Sequence, residues 1–265
     1  GLWVSHLRLS HFRSHKHLSL DLDPRPVAIF GPNGVGKTNI LEAISFLSPG
    51  RGLRRAVIAD VARRPESLGW KVSADLCIGD STSHIETGIE GGSGRSVTLN
   101  EQQIPQNGLG KICQVVWLIP NMDRLWVDGA EGRRRFLDRL CLSFCPDHAD
   151  ASLSYEKAMR ERNRLLKDQV SDPSWYRAIE RQMAESGANI QANRLATMTR
   201  LRAAIAQGGS AFPECDLKLL GADAIEEPLL DANQLADRLN EARYRDMAAG
   251  RSLIGPHRSD MAGAY

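Results

Sequence analysis

The sequence lacks most of the features that would take it out of the soluble globular class. No stretch of about 18 apolar residues occurs, which excludes a membrane-spanning helix. The opening Gly1-Leu2-Trp3-Val4-Ser5-His6 lacks the charged-then-apolar layout of a secretory signal. Cysteines are few, odd in number and scattered (Cys77, Cys113, Cys141, Cys145 and Cys215), and no C-x-x-C pair is present. That argues against a disulfide framework and for reduced, buried thiols in a cytoplasmic protein. Cys141 and Cys145 with nearby His148 offer a weak metal set. They share a helical face with Phe136, Leu137, Leu140 and Phe144, which reads as core. A net charge of +2 announces no polyanionic partner. Also missing is an apolar strand ending in an acid, the group that holds Mg²⁺ or positions water in a hydrolytic phosphate site. Leu76-Cys77-Ile78 runs into the hairpin signal Gly79-Asp80, and Pro228-Leu229-Leu230 into a helix start at Asp231. Neither Gly91-Gly92 nor Gly208-Gly209 forms an LSGGQ-like run.

What is present begins at Gly31. Gly31-Pro32-Asn33-Gly34-Val35-Gly36-Lys37-Thr38 matches the phosphate-cradling pattern G-x-x-x-x-G-K-[ST] in full. Val27-Ala28-Ile29-Phe30 before it has strand character. Ile40, Leu41, Ile44 and Leu47 after it recur at helical spacing. Strand, loop and helix are the context the pattern requires. Glycines let the backbone take positive φ and approach a phosphate closely, with successive N–H groups aimed into one concavity at the positive end of the helix dipole. Lys37 supplies a charge for the β- and γ-phosphates of a nucleotide such as ATP, and the Thr38 hydroxyl is placed to ligate Mg²⁺.

At 265 residues the chain can bury one large core or a core plus a smaller lobe. Leu7 and Leu9, then Leu18, Leu20 and Leu22, alternate with polar neighbours and predict two strands. Val72, Ala74, Leu76 and Ile78, then Ile85, Thr87 and Ile89, then Val97 and Leu99, predict an antiparallel meander punctuated at Gly79-Asp80 and Gly91-Gly92-Ser93-Gly94. Val115 to Ile119 is apolar throughout and predicts a strand buried on both faces. The period then turns helical. Phe136, Leu137, Leu140, Cys141 and Phe144 form one stripe. Asp172-Pro173 is a helix start, followed by Tyr176, Ile179, Met183, Ile190, Met198, Leu201 and Ile205. Gly208-Gly209 breaks the helix, Asp216 to Leu220 predicts a return to the sheet, and Asp231 with Gln234 resembles a capping box.

Basic residues cluster twice: Arg51, Arg54, Arg55, Arg63 and Arg64, then Arg133-Arg134-Arg135. Such clusters neutralise nucleic-acid phosphates, and equally often form a solvated, ion-paired face. Taken together, several segments resemble the RecF family, recombination-mediator ATPases related to SMC proteins and ABC-type ATPases. Leu7-Arg8-Leu9-Ser10-His11-Phe12-Arg13-Ser14 is similar to its L-x-L-x-N-F-R-N start, and Gly31 to Ile44 to its Walker A helix. Val116 to Pro120 followed by Arg133 to Asp138 resembles P-E-D … R-R-x-F-L-D. Here Asn121-Met122 replaces the acidic pair and Ala130 a proline. Glu161 to Lys167 resembles Q-R-N-x-L-L-K, and Gly250 to Met261 resembles G-R-T-x-x-G-P-H-R-D-D-L.

The resemblance implies an α/β, ABC-type P-loop ATPase head with a mixed sheet and an inserted helical lobe, lacking the C-terminal signature and Walker B segments of the family. It divides as 1–119 (head with P-loop), 120–207 (helical lobe) and 208–265 (return to the head). It implies an ATP-dependent DNA-binding protein of replication, recombination and repair, acting in the SOS response. Such a protein forms an ATP-dependent homodimer, binds single-stranded and junction DNA, helps load recombinase at gaps with RecO- and RecR-type partners, and has weak DNA-stimulated turnover only in the full-length form. Arg13 is then expected near the nucleotide, Arg54, Arg55, Arg133, Arg134 and Arg135 on DNA, and His257 and Arg258 near the nucleotide or a dimer seam, with a hydrogen-bonded structural histidine favoured for His257. The alternatives are another ABC-class ATPase subunit, or a nucleotide-binding scaffold without turnover.

Overall fold

A computed structural model describes residues 1–90, 94–208, 214–226 and 228–264, leaving Gly91-Gly92-Ser93 and Gly209 of the expected breaks outside the described residues. The chain divides into two compact units, Gly1–Trp117 and Leu118–Tyr265. No helix among the described residues is long and apolar enough to cross a membrane.

In the first unit the period-2 alternation becomes an antiparallel sheet. Its strands are β1 (Leu2–Phe12), β2 (His15–Asp21), β3 (Gly69–Ile78), β4 (Ser81–Glu90), β5 (Ser96–Leu99) and β6 (Gln102–Gln103), in the order β2-β1-β3-β4-β5-β6. The register stacks apolar partners on one face: Leu7 opposite Ala74, Leu9 opposite Val72, and Ala74 opposite Ile85. With Phe12, Leu76 and Val97 these residues are essentially removed from water, each worth roughly 1.5–3 kcal/mol for a large side chain. Helix α1 (Lys37–Ser45) follows the glycine loop, and it and a single turn, α2 (Leu109–Ile112), both contribute to this core. Phe12, Phe46 and Trp70 meet at centroid distances of 4.9 to 5.9 Å, joining the end of α1 to the sheet.

Two expected strands do not form. Val27 to Phe30 and Val115 to Ile119 carry no strand, and Phe30 is 91% and Leu118 82% exposed. Apolarity favours burial but supplies no ladder partner, and a strand needs its N–H and C=O groups paired along an edge. Among the described residues neither segment has such a neighbour.

The second unit contains α3 (Ala130–Phe144), α4 (His148–Lys167), α5 (Pro173–Gln207), α6 (Ala232–Glu241), α7 (Arg243–Ala249) and a two-stranded antiparallel pair, β7 (Asp216–Leu220) with β8 (Asp260–Ala264). The predicted caps hold. Asp172 accepts from the Ser174 N–H at 2.8 Å with Pro173 in the first turn, and Asp231 and Gln234 cap reciprocally. Tyr155, Ala158, Arg162 and Leu166 recur along the inner face of α4 as a buried stripe with an arginine in it. The strand expected at Asp216 to Leu220 forms but pairs with β8. Small residues hid β8 itself, since Ala262, Gly263 and Ala264 carry little strand preference.

Candidate nucleotide site

Gly31, Gly34 and Gly36 have φ of 147°, 88° and 98°, values that only glycine adopts without strain. At Gly36 the neighbours add a second restriction, because a Cβ would lie 2.5 Å from His15 Nε2 and 2.6 Å from Ser14 Oγ. Lys37 folds back so that its Nζ donates to the Gly31 and Pro32 carbonyls at 2.8 and 2.7 Å. The first turn of α1 has no side-chain cap and no acid. Its leading N–H groups and the exposed Thr38 hydroxyl therefore face the loop with no carboxylate to repel an anion. Space is open around Gly34. An ammonium, a hydroxyl and uncapped amides around this arch fit a phosphate chain and its divalent cation.

The loop is positioned through α1, and the residues that do so were not legible as a set. Glu42 is fully buried and accepts from Arg13 Nε and Nη2 at 2.9 and 2.7 Å and from Arg54 Nη1 at 3.0 Å. Arg13 Nη1 also donates to the Asp60 carbonyl, and Arg54 to Asn39 Oδ1. Ser14 and His15, in and after the β1–β2 turn, reach Asn39 and the Gly36 carbonyl. At the far end of α1, buried Arg95 donates to the Phe46 and Gly50 carbonyls and to Thr87. Burial pulls its guanidinium down to about 10. An acid inside an apolar helix stripe, next to Ala43 and one turn before Phe46, is the signal that would have flagged Glu42.

The arginines expected on DNA are dispersed. Arg133 is bidentate on Asp260 at 2.7 and 2.8 Å and also donates to the Leu125 and Asp128 carbonyls. Arg134 donates to the Ser259 carbonyl, and Arg135 pairs with Glu131 on the same helix. Arg55 adopts a φ of 54° beside Arg54.

Asp138, Cys141 and His148 present ligand atoms within 4.8 Å of one another. However, both Asp138 oxygens accept from Arg194, at 2.7 and 3.0 Å. Burial alone would raise the Asp138 carboxyl, but Arg194 and His148 outweigh it and hold it at about 2, while burial pushes the Cys141 thiol up to about 12. Both Asp138 oxygens are thus taken by a guanidinium, and Cys141 is buried in the core, as the sequence reads.

His257 is the hydrogen-bonded histidine expected. Nε2 donates to the Ser252 carbonyl at 3.0 Å and Nδ1 accepts from Tyr155 Oη at 2.7 Å, which selects one neutral tautomer. Burial drives its pKa down to about 4. The folded state therefore binds this proton less well than the unfolded chain, whose value is near 6.5. The stabilisation is complete above pH ~6.5 and is lost as pH falls through that value toward 4, a difference of about 3 kcal/mol. Urea unfolding measured between pH 7 and 4 should show this slope, and His257→Gln should flatten it.

Residues 6–103 match the family model described as an AAA domain. The DNA replication and repair protein RecF of Mesorhizobium japonicum is 46% identical over 269 residues, covering 97% of this chain and 71% of that protein. Its counterpart in Agrobacterium fabrum is 44% identical, again over 97% and 71%. The chain belongs to the RecF family. A solved structure described as the recombination mediator protein RecF-ATPrS in the RecFOR pathway superposes with a TM-score of 0.88 at 22% identity, covering 99% of this chain and 73% of that one. A RecF-ATP structure superposes at 0.84. The fold is thus that of a RecF P-loop ATPase head, and the RecF-like motifs lie at its structural joints: Arg13 on Glu42, Arg133 on Asp260 and His257 on Tyr155.

Proposed function

We propose that the chain binds ATP with Mg²⁺ through Gly31 to Thr38 and acts in DNA replication and recombinational repair. In this reading it engages single-strand/duplex junctions as an ATP-dependent homodimer and assists recombinase loading at gaps with RecO- and RecR-type mediators. The observation that carries the reading is the glycine arch closed by Lys37 over an uncapped helix N-terminus. Lys37 and the loop amides would hold the phosphates and Thr38 the cation. Mg²⁺ would neutralise the β- and γ-oxygens. The RecF relatives and the RecF-ATP structure support the assignment.

A triphosphate shared by two heads couples nucleotide state to closure, because only the γ-phosphate reaches both. We assign 1–119 and 208–265 to the head and 120–207 to the helical lobe, and place the protein in the cytoplasm. Arg13 acts on the nucleotide through α1. Of the arginines assigned to DNA, Arg54 and Arg135 keep about two-fifths of their side chains exposed (41% and 44%), whereas Arg133 is engaged by Asp260 and the Leu125 and Asp128 carbonyls. Light scattering with ATP and Mg²⁺ should show the mass double, with junction DNA binding tighter than with ADP. A mass and an affinity indifferent to nucleotide would remove the reading.

A further inference from the structure

The second unit carries a hollow of about 550 Å³ walled by the loop after β7, by α6 and α7, and by the turn that contains Gly255 and Arg258. Three guanidiniums line it: Arg238, Arg245 and Arg258. The alternation of inward and outward residues explains how they meet. On α6, Leu235 and Leu239 enter the core while Arg238 stays exposed. On α7, Asp246 is buried and Arg243 is tied to Glu180, leaving Arg245 in solvent. In the turn, His257 is held between Tyr155 and Ser252, while its neighbour Arg258 is exposed.

The turn that carries Arg258 is held by its neighbours. Gly255 has a φ of 125°, and a Cβ there would sit 2.2 Å from Tyr155 Oη. Arg258 N closes the turn on the Gly255 carbonyl at 2.9 Å, and Leu253 N is fixed to Asp246 at 3.1 Å. Elsewhere in this unit, Arg133, Arg162, Arg194 and Arg243 each meet a carboxylate. Among the described residues, Arg238, Arg245 and Arg258 have no side-chain partner. Of the two acids in the hollow, Asp223 accepts from the Ile225 N–H and closes its own turn.

Three guanidiniums that meet no carboxylate among the described residues can converge on one anion, which orders their side chains on binding. The rim favours a polymer over a free ion. Ile225 on the lip is 66% exposed, and Pro228 and Ile254 also line the hollow. Apolar surface beside guanidiniums suits the sugars and base faces flanking a phosphate. We propose that Arg238, Arg245 and Arg258 seat the phosphodiester backbone of a nucleic-acid strand, apart from the five arginines assigned above. This rests on the DNA-binding reading and names one contact surface for it.

The test is fluorescence anisotropy of a labelled thymidine oligonucleotide of roughly 15 nucleotides, within single-strand site sizes, with the full chain, ATP and Mg²⁺ at several salt concentrations. The variant is Arg238→Gln/Arg245→Gln/Arg258→Gln, with exposed Arg160→Gln as control and thermal unfolding to confirm that both fold. Each lost phosphate contact removes about 0.7 from the salt slope. The triple variant should therefore have a slope shallower by about 2 and bind at least about tenfold more weakly, with the control unchanged. Wild-type affinity and slope in the triple variant would overturn the seat while leaving DNA binding intact. No strand binding by the wild type would remove the DNA reading and the seat with it. Loss of calorimetric pyrophosphate binding in the triple variant, with strand binding retained, would reassign the hollow to free polyphosphate.

Discussion

Arg162→Met should destabilise the second unit by about 3–5 kcal/mol, the cost of leaving buried acids without their cation. Arg162 is 0% exposed, and all of its nitrogens are engaged. Nε donates to Glu180 at 3.0 Å, Nη1 to Asp246 at 2.6 Å and to Ser252 Oγ at 2.8 Å, and Nη2 to the Leu239 carbonyl at 2.8 Å. Glu180 also accepts from Arg243, whose guanidinium lies over the Tyr176 ring. Two cations and two carboxylates thus balance in a site closed to water. One residue joins α4, α5, α6, α7 and the turn that follows.

Methionine keeps an unbranched apolar stem but lacks the guanidinium and donates no hydrogen bond, so Asp246 loses its cation and Glu180 keeps only Arg243. The equilibrium urea midpoint reads the result, and a loss under ~1 kcal/mol would show that the network is not what holds these elements. Adding Asp246→Asn to Arg162→Met should recover part of the loss, since residues in one network are not additive.

Lys37→Ala should weaken Mg-ATP binding at least about tenfold, and up to about a hundredfold. These values follow from the 1.5–3 kcal/mol of a charged hydrogen bond. The ammonium sits on the Gly31 and Pro32 carbonyls, so alanine removes both the charge that meets the phosphates and the tie that shapes the arch. Lys37→Arg is not a conservative rescue, because a planar fork cannot occupy the place of a compact point charge. The loop is exposed and outside the buried cluster of the sheet, so the unfolding midpoint should hold while calorimetric affinity falls. Wild-type affinity in Lys37→Ala would dismiss the glycine arch as the nucleotide site.

Much of the site's outline is readable one residue at a time. The eight-residue arch, the helix that follows it, the strand alternation of β1 to β5 and the Asp172 and Asp231 caps all depend on neighbours within a few positions. The arginine triplet shows where such reading ends. Consecutive helix positions rotate by about 100°, so Arg133, Arg134 and Arg135 leave α3 in different directions, toward Asp260, Ser259 and Glu131. A run of charge in sequence is not a patch in space.

Local chemistry was therefore enough to write the arch, the helices and the faces they bury, because backbone freedom, capping and periodicity act over a turn or two. Partnerships across the chain were settled by packing. Glu42 with Arg13, Arg162 with Asp246, β7 with β8 and the failure of Val27 to Phe30 to form a strand all turn on which distant group arrives at hydrogen-bonding range. Composition and spacing carry no record of that, because a buried charge or an unpaired edge has meaning only once its counterpart has been brought beside it.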